Sequence, residues 1–315
     1  MTTPYDAVLL IAYGGPESMA DVRPFLDNVL RGKRIPAERV DEVLQHYEVI
    51  GGRSPLAELT RAQATRLQAA LSEAGRSLPV YVGMRNWHPF LADTLREMAA
   101  AGARRALGII CSLQRCDSSW EQYQRDVDKA TDEAGPGAPQ VDYLDVPPDD
   151  PHLIVAAADC VREALDRLPA EFRHTARLVF TAHSIPRRMI GADTYAEQVR
   201  RAAELTAERL SRPRWQVAYQ SRSGRPQDPW LEPDICAVLR ELGQAGEKAV
   251  VVMPIGFVCD HVEVLYDLDI EAKQAAREAG VAMARARTVG THPAYNRMLV
   301  EWVLRHCDSE ARAGR

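Results

Sequence analysis

Residues 248–265 read KAVVVMPIGFVCDHVEVL, an apolar run followed at once by a loop and the start of a helix. The run at 249–255 is continuously apolar and does not alternate, which is typical of a parallel strand buried on both faces. Asp260 and Glu263 have the spacing of a capping box, and they predict a helix that continues to Gly280. The stretch therefore predicts a strand, a loop and a helix in succession.

The same order of elements recurs along almost the whole chain. Apolar strand-like runs alternate with amphipathic segments, which indicates βα units and parallel sheets covered by helices on both faces. Four strands before about residue 150 and four after it predict an α/β fold built from two similar halves. The eight strand candidates are 6–12, 80–84, 105–111, 140–145, 176–182, 215–220, 248–255 and 281–287.

Length and composition restrict the class of protein. The chain has 315 residues, of which 46% are hydrophobic and 26% charged, so it is globular and long enough for two domains of about 150 residues. A net charge of -5 argues against a nucleic-acid partner, because phosphate contacts require a basic face. We therefore expect a small-molecule partner.

Membrane insertion and export are both disfavoured. The longest uncharged apolar stretch, 249–259, is far shorter than the ~20 residues that span a bilayer. Residues 1–12 carry no basic region ahead of their apolar run, and the six cysteines are scattered, which fits a reducing compartment. We expect a cytoplasmic protein that does not enter the membrane.

Ligands of open parallel sheets bind beyond the carboxyl ends of the strands, so the loops that follow strands are the places to search. Three of them stand out, at 13–16, 183–186 and 256–257. The first contains Gly14 and Gly15 but lacks the three spaced glycines of a dinucleotide fingerprint. An NAD site is therefore disfavoured.

The predicted helix after residue 260 carries an acidic row. Glu263, Asp267 and Glu271 recur every four residues and would repel one another on one helix face. A divalent cation would relieve the repulsion, whereas the alternative is a helix cap followed by a solvated face. This acidic row lies beside an apolar row made of Val264, Leu268 and Ala272.

His183 ends a strongly apolar strand, where a functional group could stand over the edge of the sheet. A lone histidine at such a position is more often structural. Combined with the acidic row, however, it supplies imidazole and carboxylate, a ligand set suited to Fe(II). Neither HExxH nor CxxC occurs, so the chain has no sign of a closed zinc site.

A basic cluster, Arg31, Lys33 and Arg34, follows the first predicted helix. Cations at that end of a helix favour its dipole and need no further role. The alternative is that they receive the carboxylates of an anionic ligand.

Together these motifs resemble the ferrochelatase family, enzymes that insert Fe(II) into a porphyrin. The resemblance extends in order from one end of the chain to the other. The matching segments are AYGGP (12–16), HYEVIGGRSPL (46–56), GMRNWHPFL (83–91), TAHSIP (181–186), YQSRSGRPQDPWLEPD (219–234) and MPIGFVCDHVEVLYDLDIEAK (253–273).

The resemblance implies two Rossmann-like domains of the chelatase type, each a four-stranded parallel sheet flanked by helices. We expect the first domain to comprise residues 1–113 together with a returning C-terminal helix at 290–315. The second would comprise 114–289 and carry the metal-site residues.

The resemblance also implies roles for individual residues. His183 and Glu263 would be the catalytic metal-site pair, and Asp267 and Glu271 would continue an acidic path. Tyr13 resembles the tyrosine that faces the metal from the opposite side of the macrocycle in the coproporphyrin-using branch. The positions matching porphyrin contacts, besides Tyr13, are Arg31, His46, Tyr47, Ser54 and Tyr123.

We accordingly predict insertion of ferrous iron into coproporphyrin III, giving Fe-coproporphyrin for haem biosynthesis. The alternatives are a protoporphyrin IX ferrochelatase, a cobalt chelatase and a non-catalytic haem-binding or delivery module. Porphyrin and ferrous iron would be the only partners of a monomer without a tightly bound cofactor. We expect no iron–sulfur cluster, because Cys307 is the only cysteine near the C-terminus.

The predicted mechanism starts from a porphyrin bound in a bent form, which exposes the nitrogen lone pairs. His183, neutral at pH 7, would accept a pyrrole proton, and the acidic row would carry protons or metal away.

Overall fold

The computed structural model describes residues 5–32, 37–223 and 227–313, and it contains eight strands in two sheets. Each observed strand lies within two residues of a predicted one at either end. The strands are β1 Ala7–Ala12, β2 Val80–Met84, β3 Arg105–Ile110, β4 Gln140–Tyr143, β5 Arg177–His183, β6 Trp215–Gln220, β7 Ala249–Met253 and β8 Ala282–Arg285.

Helices connect the strands. A π segment, Asp267–Ala272, lies between the ninth and tenth α-helices. The α-helices are α1 Met19–Val29, α2 Ala37–Val49, α3 Leu56–Glu73, α4 Leu91–Ala100, α5 Glu121–Ala134, α6 Pro151–Leu165, α7 Ala192–Arg209, α8 Ile235–Gln244, α9 Val262–Tyr266, α10 Lys273–Glu278 and α11 Pro293–Ala313.

The first sheet has the parallel order β2-β1-β3-β4. Strand β1 is buried along its whole length, as its uninterrupted apolar sequence AVLLIA predicts. Helices α4 and α5 pack against this sheet, and their apolar faces form one core with it. The core includes Leu9, Ile11, Leu95, Met98 and Val127.

The second sheet has the parallel order β6-β5-β7-β8. Its central strands β5 and β7 are buried, and α8 and the chain from α9 to α10 cover one face. The apolar row Val264, Leu268 and Ala272, which runs beside the acidic row, is completely buried in this core. The predicted α/β fold with two four-stranded parallel sheets is confirmed.

The domain boundary differs from the predicted one. Residues 118–147 belong to the first compact unit, with 290–315, whereas the sequence placed them in the second. The reason is that β4 hydrogen-bonds to β3, with Arg105 opposite Gln140, and so completes the first sheet. Residues 113–117 belong to the second unit, where the amide of Asp117 donates to the carbonyl of Ile190 over 3.0 Å.

Among the described residues, no helix combines the length and the apolar character that crossing a bilayer requires.

Candidate active site

The second unit brings His183 and Glu263 together. His183 is the last residue of β5, and Glu263 lies in the first turn of α9. Nε2 of His183 lies 3.4 Å from Oε1 of Glu263. Both side chains stay partly exposed, 29% and 38% respectively, so the pair is open to a ligand.

Neighbouring groups hold this pair in place. Nδ1 of His183 contacts the carbonyl oxygen of Ser184, and the hydroxyl of Tyr195 donates to the carbonyl of His183 over 3.2 Å. The side-chain amide of Gln220 donates to the backbone carbonyl of Glu263. Strand β6 therefore ties the start of α9 to the end of β5, since Gln220 lies beside His183 in the sheet.

The electrostatics of the pair correct the predicted protonation of His183. Burial disfavours the charged imidazole, but the Glu263 carboxylate outweighs it and raises the pKa of His183 to about 9. Burial likewise opposes ionisation of Glu263, yet His183 lowers the pKa of that carboxyl to about 2. With Glu263 ionised, both ring nitrogens face oxygen acceptors, and only an imidazolium donates to both. His183 is therefore protonated at pH 7, not neutral.

The cap of α9 also differs from the prediction. His261, not Asp260, is the N-cap, and its Nδ1 accepts from the amide of Glu263 over 3.3 Å. Burial lowers the pKa of His261, which keeps the ring neutral and able to accept. The sequence analysis missed this residue because histidine is not among the usual cap types.

The acidic row changes environment along its length. Asp267 is buried, with 8% exposure, and receives a hydrogen bond from the hydroxyl of Ser221. Burial, followed by the charge of Glu263, raises the pKa of Asp267 to about 7. Glu271 is exposed to solvent. The row therefore leads from a paired carboxylate through a buried one to the surface.

Imidazole nitrogen and carboxylate oxygen at His183 and Glu263 are donors that suit ferrous iron. Within the described part of the chain, no three His, Cys, Asp or Glu side chains gather closely enough to enclose an ion. Once the imidazole has lost its proton, the pair can offer two protein donors to an incoming metal.

In the first unit, Tyr13 follows directly after β1. Tyr13 is 38% exposed, and its ring makes an edge contact with Phe25, the ring centroids being 6.4 Å apart. The guanidinium of Arg85 lies 5.6 Å from the Tyr13 ring centroid. Both the backbone amide and the side-chain amide of Asn86 donate to the carbonyl of Tyr13 over 3.1 Å. These contacts fix the loop that presents the phenol.

Arg85 is a second residue that the sequence analysis missed. It forms an ion pair with Asp126, and its guanidinium lies 4.3 Å from the ring centroid of Tyr123. Its side chain is only 13% exposed. One cation thus supports Tyr13 and Tyr123, although these two tyrosines lie on different elements.

Three of the predicted porphyrin contacts are buried. Tyr47 and Ser54 are each 2% exposed, and Tyr123 is 6% exposed. The amide of Ser54 donates to the carbonyl of Pro16 over 2.8 Å, which braces the loop that carries Tyr13. Direct porphyrin contact by these three residues stays a prediction.

Two further predicted contacts are accessible. Arg31 is exposed, and its guanidinium donates to the side-chain oxygen of Asn28 over 2.7 Å. His46 is partly exposed near the end of α2. Lys33 and Arg34, the other members of the predicted basic cluster, lie outside the described residues.

Comparison with known proteins places the chain in a family. The family model described as ferrochelatase matches residues 5–307. The chain belongs to the ferrochelatase family. The predicted resemblance is confirmed, and with it the prediction of an enzyme that inserts metal into a porphyrin.

Relatives in the ferrochelatase family match most of the chain. A protein of Nocardia farcinica (strain IFM 10152), named coproporphyrin III ferrochelatase, is 47% identical over 97% of this chain and 89% of its own length. A protein of Rhodopirellula baltica (strain DSM 10527 / NCIMB 13988 / SH1), named ferrochelatase, is 45% identical over 94% of this chain and 84% of its own length.

A solved structure shares the fold. SirB from Bacillus subtilis with Fe3+ has a TM-score of 0.59, covering 98% of this chain and 97% of its own, at 12% identity. At that identity the likeness concerns the arrangement of strands and helices alone.

Proposed function

We propose that this protein inserts ferrous iron into coproporphyrin III and so forms Fe-coproporphyrin. The observation that carries the proposal is the 3.4 Å pairing of His183 with Glu263 in a member of the ferrochelatase family. The name of the Nocardia farcinica relative supports the choice of coproporphyrin.

Insertion of Fe(II) releases two pyrrole protons, so the site must first become able to accept them. At rest His183 and Glu263 hold one proton between them, on the imidazole. A dication arriving at the pair disfavours the imidazolium and sends that proton to solvent. The neutral imidazole then ligates the metal and, once the metal has moved to the macrocycle, takes one pyrrole proton.

The acidic row takes the second proton. Asp267, whose pKa is raised to about 7, changes charge near neutral pH and can both accept and release a proton. Glu271 lies at the exposed end of the row, where it exchanges with water. We therefore propose that Asp267 and Glu271 export protons.

The propionates of the porphyrin anchor it to the protein at a distance from the reacting nitrogens. Arg31 presents an exposed guanidinium fork of the kind that receives a carboxylate. Binding energy gained there can be used to hold the macrocycle bent, so that its lone pairs point toward the metal. Tyr13 is proposed as a contact of the inserted iron, and His46 as a weaker propionate contact.

The remaining features of the proposal concern the state of the protein. We propose a monomer that acts in the cytoplasm, takes iron as a substrate and holds neither a resident cofactor nor an iron–sulfur cluster.

An anaerobic assay with ferrous iron tests the function. The purified protein is given coproporphyrin III or protoporphyrin IX, and metalloporphyrin formation is followed by absorbance. We expect kcat/KM for coproporphyrin to be at least about tenfold higher, because two additional propionates supply further charged contacts. Equal or faster use of protoporphyrin would favour the runner-up substrate, and no insertion into either would overturn the proposal.

A further inference from the structure

A mostly buried arginine connects Asp260 with Asp269, two carboxylates of the segment that carries the acidic row. Arg285, the last residue of β8, has a side chain that is only 12% exposed. Its Nη1 lies 3.1 Å from both carboxylate oxygens of Asp260, and its Nη2 lies 2.6 Å from Oδ2 of Asp269. Nε of the same guanidinium lies 3.1 Å from Oδ2 of Asp269.

The two carboxylates lie just before the start of α9 and within the π segment. Asp260 immediately precedes His261, the N-cap of α9, and Asp269 lies within the π segment Asp267–Ala272. Between these anchors lies Glu263, which contacts His183. One rigid guanidinium on the sheet therefore sets the distance between the start of α9 and the π segment.

Charge makes this anchor necessary. Residues 260–271, DHVEVLYDLDIE, contain five acidic side chains and no lysine or arginine. Like charges at helical spacing push one another apart, and a π segment is an uncommon conformation that neighbouring contacts must maintain. Lys273 adds a single contact to Asp269 over 3.0 Å, but it does not reach from one anchor to the other.

We propose that Arg285 is a positioning residue for metal insertion, which holds Glu263 against His183 by clamping Asp260 and Asp269 to the sheet. The inference rests on the proposed function for its meaning in catalysis. Arg285 does not contact the substrate in this proposal. It acts by fixing the positions of Glu263 and Asp267.

The Arg285→Lys variant separates the effect of geometry from the effect of charge. A lysine keeps the positive charge, but it is a point donor and cannot form the two-armed contact that a planar guanidinium makes. Arg285→Met removes both charge and fork. Loss of a cation near an acidic row would by itself strengthen Fe(II) binding, whereas loss of positioning would weaken it. The two roles therefore predict opposite changes in the Fe(II) affinity of Arg285→Met.

The experiment measures ferrous iron binding by calorimetry in the absence of porphyrin, together with steady-state kinetics and coproporphyrin Kd from fluorescence. We expect Arg285→Lys and Arg285→Met to weaken Fe(II) affinity and raise the KM for iron by about 10- to 100-fold, as loss of an outer-shell partner does. Coproporphyrin Kd should stay within about twofold, since no arm of Arg285 belongs to the proposed porphyrin contacts.

The control is Arg287→Met. Arg287 lies two residues further along and pairs with Glu163 through two contacts of 2.7 and 3.0 Å, with no arm on the acidic segment. It should leave the KM for iron and the Fe(II) affinity unchanged. Asp269→Asn serves if Arg285→Met does not fold, because it weakens the π-segment arm by removing its charge and one acceptor oxygen while leaving the Asp260 arm intact, and it should raise the KM for iron as Arg285→Lys does.

Wild-type Fe(II) affinity and KM in Arg285→Lys, or in Asp269→Asn where that variant decides, would overturn the proposal. Tighter Fe(II) binding by Arg285→Met would also overturn it, in favour of a purely electrostatic role. If the wild-type protein bound iron but inserted none into any porphyrin, the proposed function would fall, while the binding arm would still decide whether Arg285 positions the pair.

Discussion

Nε2 of His183 and Oε1 of Glu263 lie 3.4 Å apart, which joins the end of a strand to the first turn of a helix far along the chain. The contact stores one proton on the imidazole and one negative charge on the carboxylate at neutral pH. An incoming dication therefore meets the negative charge of the carboxylate and must displace the proton of the imidazole.

Removing either member of this pair should stop iron insertion. We expect His183→Ala and Glu263→Gln to lower kcat by about 10²- to 10⁴-fold, the range typical of a lost acid–base group. Coproporphyrin Kd, measured by fluorescence quenching, should change little. His174→Ala and Glu278→Gln, two exposed positions in the same unit, are the controls. Turnover near the wild-type level in either site variant would contradict the assignment.

The protonation of His183 can be read directly by NMR. In the wild-type protein its ring signals should titrate near pH 9. In Glu263→Gln the pKa of His183 should fall, because the carboxylate charge that raises it is gone. A titration near pH 6.5 in both proteins would show that the pair does not hold the proton.

The same shifts determine how stability depends on pH. A raised histidine pKa stabilises the fold fully below its ordinary value of 6.5 and loses this contribution as pH rises through about 9. The lowered Glu263 pKa contributes above its ordinary value of 4.5 and is lost as pH falls through about 2. The Tm difference between wild type and Glu263→Gln should thus be largest between pH 4.5 and 6.5 and shrink toward pH 9. A constant difference over this range would argue against the linkage.

Gly256 marks a close approach beneath the site. A Cβ at this position would lie 2.5 Å from the Cβ and 2.8 Å from the Cα of Ala182, next to His183. Gly256→Ala should therefore cost about 1–3 kcal/mol in the free energy of unfolding and lower activity, because the loop ahead of α9 must shift. Gly246→Ala is the comparison, since open space surrounds that glycine and only its φ of +84° opposes a side chain. It should lower stability without changing kcat.

In the first unit, Arg85 supports Tyr13 and Tyr123. Arg85→Leu leaves the partly buried Asp126 without its ion-pair partner and should cost about 2 kcal/mol by chemical denaturation. It should also change the absorption spectrum of bound Fe-coproporphyrin if Tyr13 contacts the iron. Arg96→Leu breaks an exposed pair with Asp93 and should cost less than about 0.5 kcal/mol. Equal losses in the two variants would contradict the supporting role.

Ser221 combines a hydrogen bond to Asp267 with a left-handed backbone, at φ 64°. Ser221→Gly and Ser221→Ala both remove the hydroxyl, so both should raise the pKa of Asp267 above about 7, as seen by infrared titration of the carboxyl. Only alanine retains the backbone strain, so Ser221→Ala should be the less stable of the two. An unchanged Asp267 pKa in both variants would show that the hydroxyl does not favour the carboxylate.

Much of the fold could be predicted because it follows from local pattern. Continuous apolar runs marked the strands, and the strand candidates agree with the observed elements to within two residues at either end. The domain assignment of 118–147 was wrong because β4 joins the first sheet through hydrogen bonds to β3, and the local sequence pattern does not encode which sheet a strand joins.

At the site, the sequence indicated which residue types could bind iron. It did not indicate their protonation, their burial or the contacts that hold them. His261 as the cap, the π segment and the clamp by Arg285 were all unseen, since each depends on a contact between distant parts of the chain or on a rare local geometry.

The order of residues by itself determined the α/β architecture, membership in the ferrochelatase family and the choice of His183 and Glu263 as candidates. Only the tertiary structure decided that His183 carries a proton at neutral pH and that Asp267 is buried beside Ser221. The physical reason is that hydrophobic periodicity is local, whereas a pKa depends on burial and on the distance to charges that folding brings together.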